Sequence, residues 1–132
     1  MTEKRKKWKQ GIILTVLTLS IVFGLNCAYG IYKYHHTHYF STARWLSAEN
    51  NERADMINNL LSRYEFRGMT KKEMYAILGQ PDDINIFTDV SKDGEETEVY
   101  YVGFLGFPDI DPNVLIITYK DNVVIEWELY ET

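Results

Sequence analysis

Residues 68–83, GMTKKEMYAILGQPDD, spell out a helix together with both of its ends. Thr70 and Glu73 stand three apart. At that spacing the Thr hydroxyl accepts from the Glu73 N–H, and the Glu carboxylate accepts from the Thr70 N–H. Met69 before this cap and Met74 after it are spaced as a hydrophobic staple. Ile77 and Leu78 continue the apolar stripe that Met74 begins. Gly79 can leave the helix through a positive φ, and Pro81 prevents the helix from resuming. The spacing predicts a helix over Lys71–Leu78.

On the N-terminal side, Met56, Ile57, Leu60, Leu61 and Tyr64 recur at helical spacing and leave Glu52, Asn58, Asn59 and Arg63 for solvent. That helix is expected to start between Ser47 and Asn51. The link Glu65–Gly68 is short, which predicts that the two helices pack as a hairpin. After Pro81 the period changes to that of strands: Ile84–Thr88, Thr97–Phe104, Val114–Tyr119 and Val123–Tyr130. Polar residues Ser91–Glu96 turn the first strand back, and Leu105–Asn113 joins the second to the third.

Two registers are open to the last hairpin. A two-residue Asp121-Asn122 turn pairs Lys120 with Val123 and sets Ile117 against Glu126. A three-residue loop, Lys120–Asn122, pairs Tyr119 with Val123 and sets Ile117 against Ile125. The second gathers Leu115, Ile117, Tyr119, Val123, Ile125 and Trp127 on one face and sends Glu126 and Glu128 to the other, so it is the one expected. The fold class is thus α+β: an αα hairpin packed on the apolar face of a four-stranded antiparallel meander, spanning residues 47–132.

The rest of the chain is of another kind. Residues 1–10 hold five Lys/Arg against Glu3, residues 11–32 carry no charge, and residues 33–132 hold nine Lys/Arg against eighteen Asp/Glu. The run Gly11–Tyr32 spans roughly 33 Å as a helix, enough for a hydrocarbon core. Trp8 precedes it, and Tyr29, Tyr32 and Tyr34 close it, as interfacial aromatics do. The basic residues 1–10 are expected to stay in the cytoplasm and to direct residues beyond Tyr34 outside, with 33–46 as a juxtamembrane connector. A cleaved signal, with Ala28-Tyr29-Gly30 as the processing site, would export the same domain as a secreted or periplasmic protein. Cys27 would be the acylated residue of a lipoprotein, but Gly24-Leu25-Asn26 is not the Leu-small-small approach that this requires. As the only cysteine, it forms no intramolecular disulfide. The acidic balance of the exported part excludes nucleic acid as an expected partner.

The order of helix, GMTKKE-helix-LGQPD and antiparallel meander resembles the SmpA/OmlA (BamE-like) family and is similar to the repeats of β-lactamase inhibitory proteins. Arg53, Met56 and Leu60-Leu61 on the first helix fit the pattern. So do Gly68-Met69-Thr70, Glu73, Leu78-Gly79, Pro81-Asp82, Tyr100–Gly103 and the strand Leu115-Ile117-Tyr119. The likeness covers roughly residues 45–130. It implies an exported, non-catalytic domain that binds proteins through its sheet face and loops, either as an envelope assembly subunit or as an inhibitor. No residue specific to barrel assembly is present, so that role is not implied.

Chemistry finds few footholds. His35, His36 and His38 could offer imidazoles to zinc, copper or nickel, but no Cys, Asp or Glu within Ile31–Thr42 would complete the set, and Cys27 lies in the apolar run. Asp89-x-Ser91-x-Asp93-Gly94 opens like a calcium loop, yet Tyr100 stands where the bidentate Glu belongs. Asp109–Pro112 reads as a turn, and Asp82-Asp83 as solvated acids at a helix exit. No nucleophile elbow or phosphate-cradling loop appears. The expectation is no enzyme, no cofactor and no bound metal.

An apolar surplus remains. With Leu115, Ile117 and Tyr119 turned to the helices, Val114, Ile116, Val124 and Tyr130 face outward, with one of Tyr100 and Tyr101. The loop Phe104–Pro108 adds further aromatics. Phe104, Leu105, Phe107, Val114, Ile116 and Tyr130 are therefore the expected contacts for another protein of the envelope, unless residues 39–46, with Trp45, cover that face. The function expected is that of a membrane-anchored binding module. A metal-binding or metal-sensing role through the histidines is the alternative.

Overall fold

A computed structural model describes residues 2–49, 51–84, 94–104 and 113–131. The chain divides into two compact units, Met1–His36 and Thr37–Thr132.

The first unit is occupied by helix α1, Glu3–His38, which continues two residues into the second. Its 36 residues include a stretch long and apolar enough to cross a membrane, and none of them is buried. Polar side chains in that stretch donate to carbonyls of the same helix. The hydroxyls of Thr15, Thr18 and Ser20 and the amide of Asn26 donate to the carbonyls of Gly11, Leu14, Val16 and Val22 at 2.7–2.9 Å. The three hydroxyl donors therefore need no water, which suits a hydrocarbon environment.

The second unit is α+β. Helices α2 (Thr42–Ser47), α3 (Glu52–Arg63) and α4 (Lys71–Leu78) accompany strands β1 (Asp83–Ile84), β2 (Glu95–Gly103), β3 (Asn113–Lys120) and β4 (Val123–Tyr130). The strands form one antiparallel sheet in the order β1-β2-β3-β4. Helix α4 has the expected bounds and its capping box: Thr70 Oγ1 accepts from the Glu73 N–H, and Glu73 accepts from the Thr70 N–H at 2.8 Å. Gly79 ends it at φ +73, ψ −161, a backbone state open essentially to glycine. A Cβ there would also lie 2.4 Å from Leu46 Cδ2. Leu46 is exposed and its methyl can swing aside, so the backbone dominates. Gly79→Ala is expected to lose about 1–3 kcal/mol in a denaturation midpoint assay.

Three expectations change. The connector proposed for 33–46 is largely folded: Phe40 and Trp45 are fully buried in the core with Met56, Ile57, Leu60, Met74, Leu78 and Leu115. Apolar residues 40 and 45 sit too far apart in sequence from the helix stripe for periodicity to claim them. Second, the main helix–helix contacts join α2 to α3 and to α4, in place of an α3–α4 hairpin. The link between α3 and α4 is used instead to finish the sheet edge. Gly68 N donates to Val124 O, Val124 N donates to Met69 O, and Thr70 bridges Val123. Backbone groups that pair with an edge strand cannot also form a tight helical turn.

Third, the last hairpin takes the two-residue turn. Lys120 pairs with Val123, and Asp121 and Asn122 lie at φ 52 and 62, the two positive values of a type I′ turn. A register shift between Thr118 and Tyr119 then leaves Ile125 unpaired, so that Tyr119 faces Val124 while Ile117 faces Trp127. One bulged residue reconciles the favoured turn with an apolar inner face. Val124, expected outside, is buried; Trp127 and Leu129 pack against the core, and Glu126 and Glu128 are exposed.

Candidate functional site

Two places in the second unit concentrate polar and aromatic groups. The first lies beneath α4. Tyr100 faces the core, and Glu98, two residues earlier, shares that face and is fully buried. Lys71 and Tyr75 are one helical turn apart on α4 and meet it there. The Tyr75 hydroxyl donates to Glu98 Oε1 at 2.5 Å, and Lys71 Nζ lies 3.0 Å from the same oxygen and 2.8 Å from Glu96 Oε1. Lys71 also stands over the rings of Tyr119 and Tyr75, 5.2 and 5.9 Å from their centroids. The Tyr100 hydroxyl donates to Gly79 O at 3.0 Å, tying the exit of α4 to β2.

This cluster fixes several protonation states. Burial by itself would lower the Lys71 pKa, but hydrogen bonds to Glu96 and Glu98 and the nearby Glu98 charge outweigh it and raise it well above the ordinary lysine value. Burial, then the hydrogen bond to Glu98, pushes Tyr75 up to about 12. Burial followed by the Glu98 charge raises Tyr100 and Tyr119 further still. All these shifts act in one direction. Below pH 10 the tyrosines are protonated whether folded or not, and the Lys71 ion pairs are intact. Above the ordinary values of 10.0 for Tyr and 10.5 for Lys, the unfolded chain sheds protons that the folded chain retains, so stability falls with rising pH. In an absorbance titration of phenolate, Tyr75, Tyr100 and Tyr119 are expected to stay silent as the pH passes the ordinary tyrosine value of 10.0. They should then appear together with unfolding.

The second place is the outer face of the sheet. Tyr101, Val114 and Tyr130 are successive cross-strand partners on β2, β3 and β4, one row across the sheet. The next row on that face is Asp83, Val99, Ile116 and Glu128, followed by Thr97, Thr118 and Glu126. Tyr101 is held at three atoms. Its N–H donates to Asp82 Oδ2 at 2.8 Å, its carbonyl accepts from Arg53 at 3.1 Å, and its hydroxyl donates to Asp83 Oδ2 at 2.9 Å. That last bond, to a carboxylate, raises the Tyr101 pKa. Arg53 completes the brace with a 2.6 Å ion pair to Asp82 and a hydrogen bond to Trp45 O, while its guanidinium covers the Trp45 ring. Asn51 Oδ1 accepts from the Phe104 N–H.

Of the residues expected to meet a partner, Tyr130 and Phe104 are 48% and 41% exposed and Ile116 is half-buried. Val114 is not available: a small side chain between two tyrosines, it keeps only 6% of its surface. Leu105 and Phe107 lie outside the described residues, as do the Asp89–Asp93 loop, the Asp109–Pro112 turn and residues 85–88 of the expected first strand. Tyr101, 40% exposed, joins the row through strand parity, which sequence alone left open between it and Tyr100. Asp82 and Asp83, expected to be merely solvated acids, are the residues that position it. Residues 39–46 do not cover this face through Trp45, whose ring is in the core on the helix side.

His35, His36 and His38 all lie on α1, where neighbours in sequence point about 100° apart. His38 Nδ1 is paired with Thr37 Oγ1 at 2.8 Å. Among the described residues no group of three or more His, Cys, Asp or Glu side chains converges to hold a metal ion.

No protein-family model, curated protein or solved structure matches this chain.

Proposed function

We propose that this chain is a single-pass membrane protein of the cytoplasmic membrane, N-terminus inside, whose SmpA/OmlA-like second unit binds another protein on the outer side. The anchor is supported by the uncharged stretch of α1 with its internally satisfied hydroxyls and by the basic residues ahead of it. The binding role rests on one observation: the braced row Tyr101–Val114–Tyr130 presents two half-exposed tyrosines on one face of the sheet. Holding Tyr101 by both backbone groups and its hydroxyl lowers the entropy lost on contact. The row is flanked by Asp83, Glu126 and Glu128, so the surface that fits it combines an apolar centre with basic residues. The anchor confines the domain near membrane-bound partners and raises their effective concentration.

A photo-crosslinking amino acid at position 101 or 130, in cells making the full chain, is expected to give a discrete adduct that one at Ser62 does not. Reversing charge at Glu126 and Glu128 should weaken that adduct about tenfold. Equal labelling at all three positions would sink the binding reading. External protease that spares residues 37–132 in spheroplasts would sink the orientation.

A further inference from the structure

We infer that the first turns of α1 form a binding site for a single anionic phospholipid. The inference rests on the proposed membrane anchoring of α1. Lys4, Lys7, Trp8, Gly11, Ile12 and Thr15 line a hollow along one side of the helix. At about 100° per residue these positions make one continuous stripe, and at 1.5 Å per residue it runs about 17 Å along the axis. Its composition changes along its length. The upper end carries two ammonium groups, the middle an indole at the start of the uncharged run, and the lower end apolar side chains beside a residue with no side chain at all. That gradient matches a phospholipid laid head to tail: phosphate at Lys4 and Lys7, glycerol and ester groups level with Trp8, and an acyl chain over Gly11 and Ile12. Gly11 matters because any side chain there would fill the notch along which a chain can lie against the backbone. The Thr15 hydroxyl is already committed to Gly11 O at 2.9 Å, so it leaves no free polar group in the apolar part.

A diffuse attraction between basic residues and an acidic membrane surface would make all five cations equivalent. The site separates them. Lys4 and Lys7 line the hollow, whereas Arg5, Lys6 and Lys9 do not.

The test is native mass spectrometry of the full chain in detergent, titrated with dioleoylphosphatidylglycerol or dioleoylphosphatidylcholine. One tightly held phosphatidylglycerol is expected. Lys4→Ala with Lys7→Ala should weaken it about tenfold, and Lys6→Ala with Lys9→Ala, an equal loss of charge, by less than about threefold. Lys4→Arg with Lys7→Arg should retain it, and Gly11→Leu should weaken it with no change in charge. Equal losses in the two alanine pairs, or equal binding of phosphatidylcholine, would overturn the site. Alkaline carbonate extraction of the membranes and the intact mass of the chain are measured on the same preparation. Release by carbonate, or loss of residues 1–30, overturns the membrane reading itself. A chain that stays embedded yet shows no lipid preference overturns only the site.

Discussion

Replacing Lys71 by Met is expected to destabilise the second unit by about 3 kcal/mol. The cost arises on Glu98, which is fully buried and would lose its compensating cation. A carboxylate in that position keeps the hydrogen bond from the Tyr75 hydroxyl and the neighbouring Tyr119 hydroxyl, and no charge to offset its own. The figure sits at the lower end of the range for broken buried pairs because Lys71 retains 19% of its side-chain surface in water. For a unit of this size the melting temperature should fall by roughly 15 °C. The control is the double variant Lys71→Met with Glu98→Leu. It removes both charges and should recover much of the loss, because an apolar pair in a packed site is often as stable as an ion pair. A double variant no better than Lys71→Met would show that Lys71 acts by packing on Tyr75 and Tyr119. Glu98→Gln, which keeps a hydrogen-bond acceptor for Tyr75 and leaves Glu96 for Lys71, is expected to cost about 1 kcal/mol.

Truncation should have a larger effect. A fragment of residues 37–132 is expected to unfold cooperatively in denaturant, whereas 47–132 should lose its near-ultraviolet dichroism and bind hydrophobic dye. The second fragment lacks Phe40 and Trp45, both fully buried, and opens a void against Met56, Leu60 and Leu78. Large-to-alanine changes at such positions cost about 3–5 kcal/mol each, and two of them approach the whole stability of a small domain. The ring packing points the same way: Phe40 lies 6.0 Å from Trp45 and 5.8 Å from Tyr64. Arg63 and Asn59 of α3 also lose partners, since they bond the carbonyl and the N–H of Phe40. A cooperative 47–132 fragment would show that α2 is an accessory to the core.

The parts of the fold that could be read from residues alone are those governed by neighbours in the chain. The capping box at Thr70, the exit at Gly79, the start of α3 near Asn51 and the bounds of β4 all depend on interactions a few residues long. The inward side of β3 was legible for the same reason, because alternation fixes it once one residue is placed. The hairpin register was not. It required weighing a favoured Asp121-Asn122 turn against an apolar face, and the chain satisfies both by bulging at Ile125, a solution that no periodicity announces. Tyr101 could not be told from Tyr100 until the strand was placed on the helices. Nor could Asp82 and Asp83 be recognised as its supports, since the contacts span 18–19 residues.

By itself, the order of residues determined that this protein has a basic start, an uncharged helix long enough for a bilayer, and an acidic α+β unit after it. Charge, hydropathy and helix ends are properties of short windows, and short windows are all that a lone sequence displays. Only the tertiary structure decided that Phe40 and Trp45 belong to the core, that Lys71 compensates a buried Glu98, and that Val114 is shielded between Tyr101 and Tyr130. Each of those is a contact between distant segments, settled when the closing sheet dictates which side chains share a face and which are removed from water.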